Sequence, residues 1–281
     1  MPYKHPKISY GLPMDNHDSD LTAEYVEDLQ MAIGIDKQKR QIVGVRFFFN
    51  QEDYDACSDP QVAGKMAYCV MVKKACGGKS YKSRLENHNC DGGTTALGLE
   101  KSNNRIESGE EYFSYNLYGS SSAARRMRQS VLSLHRLEAV TYGILVKPLK
   151  DFDSAPDLVI CLVNPYQAMR IVQGYVYRDG RKPQINIGGM QALCSEITAT
   201  PYITGELNLS VLCPSTRMLC RWDDDVMAAG MPFEKFFTTV EGVVATINST
   251  DLKKYKEEII RRFAARGKQL PLDLDDDYAA D

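Results

Sequence analysis

Two stretches of this chain are laid out on one plan. Residues 65–100, KMAYCVMVKKACGGKSYKSRLENHNCDGGTTALGLE, carry Cys69 in a helix-like segment and Cys90 in a Gly-rich turn. Residues 191–222, QALCSEITATPYITGELNLSVLCPSTRMLCRW, carry Cys194 and Cys213. Each stretch opens on Ala-x-Cys, passes through a glycine beside a charged residue (Gly78-Lys79, Gly205-Glu206) and ends in a cysteine that leads into a turn, with spacings C-x20-C and C-x18-C. A duplicated unit brings equivalent positions together in a shared core. The plan therefore predicts a mixed α/β fold: one compact domain of two related, pseudo-symmetric halves, about 41–135 and 140–247, with N- and C-terminal helices outside. Residues 1–20 read as an extended lead-in, and 268–281 as an acidic mobile tail.

Composition narrows the functional classes. At 281 residues, 43% apolar and 25% charged, the chain can bury a substantial core. A formal net charge of -3 offers no basic excess to neutralise phosphates, which argues against a nucleic-acid partner. No apolar run approaches the roughly 18 residues of a spanning helix, and the start, MPYKHPKISYGLPMDNHD, has no apolar signal region, so neither a membrane nor secretion is expected. A cytoplasmic location follows, where thiols stay reduced and eight cysteines read as core, ligand or catalytic residues.

Periodicity supplies the elements. Thr22 is positioned to cap a helix over 23–33 that ends at Gly34. QIVGVRFFF, AVTYGILVKPL and DLVICLVNP read as buried strands, and residues 166–177 as a helix. Val62, Met66, Cys69, Val70 and Lys73 share one helical face, which turns Cys69 inward. Ser108 and Glu111 have capping-box spacing, Arg125, Arg126 and Arg128 form the basic face of a solvated helix, and Pro232 opens a late helix. A final helix is expected over 252–266. No GxGxxG or GxxxxGK[ST] pattern marks a nucleotide site.

Four thiols at matched positions, Cys69, Cys90, Cys194 and Cys213, are candidates for one cluster of ligands. Thiolates suit zinc, copper(I) or an iron–sulfur cluster. The absence of any C-x2-C knuckle disfavours an ordinary structural zinc site, and an iron–sulfur cluster held between the halves, with a redox or electron-transfer role, fits the spacing better. Gly92 and Gly93 would then turn backbone N–H groups toward sulfur. The alternatives are a metabolite-binding protein whose cysteines are core residues, and a cysteine-dependent enzyme. His88, two residues before Cys90, is the one histidine close enough in sequence to serve as a base for such an enzyme, and a polar loop role explains it better. Phe47, Phe48 and Phe49 with Tyr142 and Tyr166 are candidates for a pocket lining, and Asp223 to Asp225 for a solvated turn. The partners left open are a redox protein and a second copy of the chain.

The motifs AYCVMVKKACGG, HNCDGGTTALGL, YGILVKPL, PDLVICLVNPYQAMR, ALCSEI, TGELNLSVLCPSTR and AAGMPFEKF, in that order over about 21–247, resemble the domain-of-unknown-function 169 family, cytoplasmic proteins of anaerobic bacteria and archaea. The resemblance selects the same four cysteines, leaves Cys57, Cys76, Cys161 and Cys220 as particular to this chain, and adds Arg217 after the last motif cysteine as a cation for thiolates or an anion.

Overall fold

The computed structural model describes residues 18–36, 40–135 and 138–274. Most of the lead-in, with His5 and His17, and the end of the acidic tail lie outside the described residues. The chain enters through helix α1 (Ser19–Ile33), capped by Asp18, whose carboxylate accepts from the N–H groups of Asp20 and Leu21. Thr22, the expected cap, lies inside the first turn and bonds back to the Asp18 carbonyl. Gly34, at φ +70, closes the helix. Strand β1 (Val43–Phe48) follows, then the short α2 (Gln51–Ala56), α3 (Tyr68–Cys76) and β2 (Tyr81–Ser83). Thus α3 starts six residues beyond Val62, which instead adjoins the bridge between Gln61 and Lys82.

Four helices, α4 (Asp91–Ala96), α5 (Asn104–Glu107), α6 (Glu110–Ser114) and α7 (Ser121–Ser130), lead to β3 (Gly143–Pro148) and β4 (Leu158–Val163). The α6 cap is Gly109, not Ser108. On α7 the expected basic face is broken, because Arg128 is fully buried and paired with Glu107 at 2.7 Å. Beyond β4 come α8 (Pro165–Val176), a π-helix (Ala192–Ala199), α9 (Thr200–Thr204), β5 (Asn208–Ser210), α10 (Pro214–Cys220), β6 (Met227–Pro232), α11 (Phe233–Ala245), α12 (Ile247–Thr250) and α13 (Lys253–Ala264). Among the described residues no helix is long and apolar enough to cross a membrane.

The six strands form one antiparallel sheet in the order β2-β3-β1-β4-β6-β5. The two triplets join at β1 and β4, where Val43, Gly44 and Val45 pair with Ile160, Val159 and Leu158. Within each triplet the ladders share one register. Val43 opens β1 opposite Pro148, the last residue of β3, just as Leu158 opens β4 opposite Pro232, the last residue of β6. Tyr81 meets Val146 and Asn208 meets Gly230, each partner two residues before the terminal proline of its strand.

Strand alternation assigns the faces. Val43, Val45, Ile144, Val146, Leu158, Ile160 and Ala228 point to one face, beneath α3, the π-helix and α10. Val159, Cys161, Val163, Ala229 and Met231 point to the other, covered by α1, α8, α11 and α13. Contact with the π-helix is backbone to backbone, since a Cβ on Gly230 of β6 would stand 2.2 Å from the Ile197 carbonyl oxygen. Gly230→Ala should therefore cost about 1–3 kcal/mol through overpacking, read as a lowered midpoint in urea. Gly119→Ala, where the added methyl meets open space, should leave the midpoint unchanged.

Candidate functional site

Each of the four motif cysteines stands at the start of a helix on the same side of the sheet. Cys69 is the second residue of α3, Cys90 the N-cap of α4, Cys194 the third residue of the π-helix and Cys213 the N-cap of α10. The correspondence holds between the triplets: a thiol in the helix between the first and second strands, and another at the cap of the helix between the second and third. The two longer helices are tied together beside their thiols, where the Tyr68 hydroxyl shares a 2.9 Å hydrogen bond with Thr198, which also donates to the Leu193 carbonyl.

The thiols influence one another electrostatically. Burial, then the neighbouring Cys90, Cys213 and Cys69, raises the Cys194 thiol well above its ordinary value. Burial likewise raises Cys90, with Cys69 and Cys213 adding to it, while the Gly93 N–H beside its sulfur works the other way by favouring thiolate. The Gly92-Gly93 pair thus forms the first turn of α4 rather than an irregular turn. Cys194 Sγ lies 4.0 Å from the Gly92 carbonyl oxygen, and Cys213 Sγ lies 3.2 Å from Thr216 Oγ1. The side chains are gathered without being closed round an ion: among the described residues no three His, Cys, Asp or Glu groups are arranged to hold one.

Several contributors have no signature in the sequence. Gln191 enters the π-helix in the left-handed region at φ 52, a conformation a non-glycine residue holds only under tertiary constraint. Its amide donates to the Tyr112 hydroxyl at 2.7 Å, while its own buried Oε1 has no hydrogen-bond partner. A Cβ on Gly92 would come within 2.9 Å of that hydroxyl and 3.0 Å of the amide nitrogen, so only glycine lets this cluster close over α4. Burial and the ionised forms of Cys194 and Cys90 raise the Tyr112 hydroxyl, which keeps it a neutral hydrogen-bonding group beside the thiols. Cys220, at the end of α10, is the other unanticipated member: its thiol donates to the Cys69 carbonyl oxygen at 3.3 Å.

Arg217 does not face sulfur. Its guanidinium donates to the carbonyls of Asp223, Val211 and Val226 at 2.9–3.1 Å, fastening the segments on either side of α10. Lys73 holds its Nζ 3.5 Å over the Trp222 ring, and its charge acts on Cys76 and Cys220. Cys76 and Cys161 are fully buried core residues, each pushed up to about 12 by burial. Phe47, Phe48 and Phe49 line a cavity of about 400 Å³ with Arg46, Lys147 and Phe152, away from the four thiols. Tyr166 instead bonds Asp251 and stacks on Tyr255. Asp223 and Asp225 lie at long range, 3.7 and 4.0 Å, from Arg40.

The sequence profile of the DUF169 family, described as "Uncharacterised ArCR", matches residues 35–242, and the chain belongs to that family. The chain is also 25% identical over 178 residues to "Uncharacterized protein MJ0308" of Methanocaldococcus jannaschii, a match covering 63% of this chain and 75% of that protein. No solved structure matches significantly.

His88 turns toward the sheet, its Nε2 2.9 Å from Ser83 Oγ on β2. Burial pushes the imidazole down to about 4, whereas in the unfolded chain it takes a proton near pH 6.5. Its contribution to stability is therefore complete above pH 6.5 and declines as the pH falls toward 4, by up to about 3 kcal/mol. Urea midpoints recorded between pH 7 and pH 4.5 should fall less steeply for His88→Gln than for the wild type. An unchanged slope would remove His88 from the account.

Proposed function

We propose that the chain is a cytoplasmic thiol-ligated metal protein with a redox or electron-transfer role, an iron–sulfur cluster being the group that four cysteine ligands suit best. The observation that carries this reading is the gathering of Cys69, Cys90, Cys194 and Cys213 at four helix starts on one face, near enough that the other thiols add to the effect of burial on Cys90 and Cys194. Mutually opposed buried thiolates need a cation to compensate them. The donor set fits in type and number, and soft sulfur ligands select such metals over hard ones. The recurrence of one ladder register in both triplets supports reading the ligands as two pairs from related halves.

Within this reading the four cysteines hold the group, which supplies one-electron transfer when bound. Loading requires the side chains to turn inward and to lose their protons, so it releases acid and weakens as the pH falls. Cys90 and Cys213 occupy the N-cap positions of α4 and α10, and the Gly93 N–H favours the ionised sulfur of Cys90. Gly92 and Gly93 contribute by their lack of side chains and by the Gly93 N–H. Tyr112, held by Gln191, keeps a neutral hydroxyl next to Cys90 and Cys194. Arg217 acts by position, bracing the segments around Cys213.

Anaerobic purification should yield a coloured protein containing iron and acid-labile sulfide, or one that takes them up on reconstitution. Cys90→Ser and Cys213→Ser should lose the colour, whereas Cys57→Ser, in the separate cluster of Phe48 and Tyr54, should retain it. Should the wild-type chain take up neither iron and sulfide nor zinc, the reading is wrong.

A further inference from the structure

The cavity of about 400 Å³ beside Phe48 takes no side chain from the four motif cysteines. Its floor is the face of β1 and β3 turned away from α3. Val43, Val45, Ile144 and Val146 pack toward α3, so Arg46 and Lys147, which alternate with them, point to the cavity side. Gly44 stands opposite Lys147 in the ladder, and its missing side chain makes room for the Phe152 ring, 5.0 Å from the Lys147 Nζ.

The two cations differ in what they have left to give. Lys147 is buried, and its charge is met by Asp59 at 2.9 Å, with Asp153 farther out at 3.8 Å. Arg46 is half-buried and donates to the Ser154 hydroxyl, and no carboxylate is paired with it among the described residues. Asp157, within reach of its charge, gives its carboxylate to the Phe47 N–H at 2.7 Å. Most of the five N–H donors of a guanidinium thus remain for a ligand. Asp53, on α2, and Asp153, after Phe152, also line the cavity and are exposed. A ligand of one charge meets opposition here, an anion from these two aspartates and a cation from Arg46. A molecule that carries a carboxylate and an ammonium a few bonds apart satisfies both, and the cavity is of ligand size.

We propose that this cavity binds a free α-amino acid, its carboxylate on the Arg46 guanidinium and its ammonium toward Asp53 and Asp153. The Arg46 contact is the strong one, because a guanidinium meets a carboxylate through two parallel hydrogen bonds. The exposed aspartates act through screened charge and contribute less. Phe49, half exposed on the same cavity, offers a ring to the ligand's side chain.

This inference does not rest on the metal reading, since the two sites share no residue. The whole chain is titrated calorimetrically, at low ionic strength, with each of the twenty standard amino acids. At least one should bind the wild type. Arg46→Gln should weaken that binding about ten- to a hundredfold, whereas Arg126→Gln, on the exposed side of α7, should bind as the wild type does. The matching amine without the carboxylate, and the matching acid without the amine, should each bind more weakly than the amino acid. Protection of Arg46 from phenylglyoxal by the bound amino acid, read by peptide mapping of the wild type, tests the same contact without a substitution and holds even if Arg46→Gln fails to fold. A wild type that binds none of the twenty overturns the proposal. So does binding that Arg46→Gln leaves intact, an Arg46 modified equally with and without the amino acid, or an amine or acid that binds as tightly.

Discussion

The arrangement depends on a short antiparallel contact, the three residue pairs by which β1 meets β4. Side chains alternate along a strand, so a slip of one residue would send every core side chain of one triplet to the opposite face. The observed register keeps Val43, Val45, Leu158 and Ile160 on one side, and the same side receives α3 from the first triplet and the π-helix from the second. Gly44, at the centre of the pairing, has the Phe152 ring where a Cβ would stand, at 2.5 Å. That close packing pins the register from the other face. Two distant parts of the sequence, around Cys69 and Cys194, thereby become neighbours.

Placing thiols there has an electrostatic consequence. A buried sulfur favours its neutral form, and a second or third nearby sulfur strengthens the preference whenever one ionises. The helix starts act in the opposite direction, because their free N–H groups favour negative charge. Desolvation is the first cause for Cys90 and Cys194, and both rise despite the opposing N–H groups. Burial therefore dominates at Cys90 and Cys194, whereas Cys220, at the edge of the site, is drawn below its ordinary value by Cys69 and then by Lys73.

Much of the sheet was legible because its strands are continuous β-branched and aromatic runs, and the ends of α1 and α3 because Gly34 and Gly77-Gly78 stop them. The position of the four cysteines near helix starts was only partly legible. Gly92-Gly93 reads as a turn, since two glycines lower helix propensity, yet α4 forms there because Gly92 must admit Tyr112 and Gln191. The π-helix has no local signature at all. It follows from a strained entry at Gln191 and from the Gly230 backbone pressing on Ile197, two contacts with remote sequence origins. Arg128 misled for a similar reason: its spacing is that of a solvated face, and only the fold brings Glu107 to meet it. The contact of Cys220 with the Cys69 carbonyl spans 151 positions and leaves no trace in spacing.

The two cations near the site show why residue type alone does not assign a role. Arg217 carries a planar fork of donors, and three backbone carbonyls engage it fully, so its charge is offset by peptide dipoles and its effect is mechanical. Lys73 is a compact point charge resting on an aromatic face, with no carboxylate paired to it among the described residues. Its field therefore reaches the sulfurs of Cys76 and Cys220. The first of these is sealed in the core, where burial outweighs the cation, whereas the second is drawn below its ordinary value by Cys69 and then by Lys73 against burial. Cys69 is accordingly the residue on which the site converges: its carbonyl accepts from Cys220 on one side, and its thiol acts on Cys90 and Cys194 on the other.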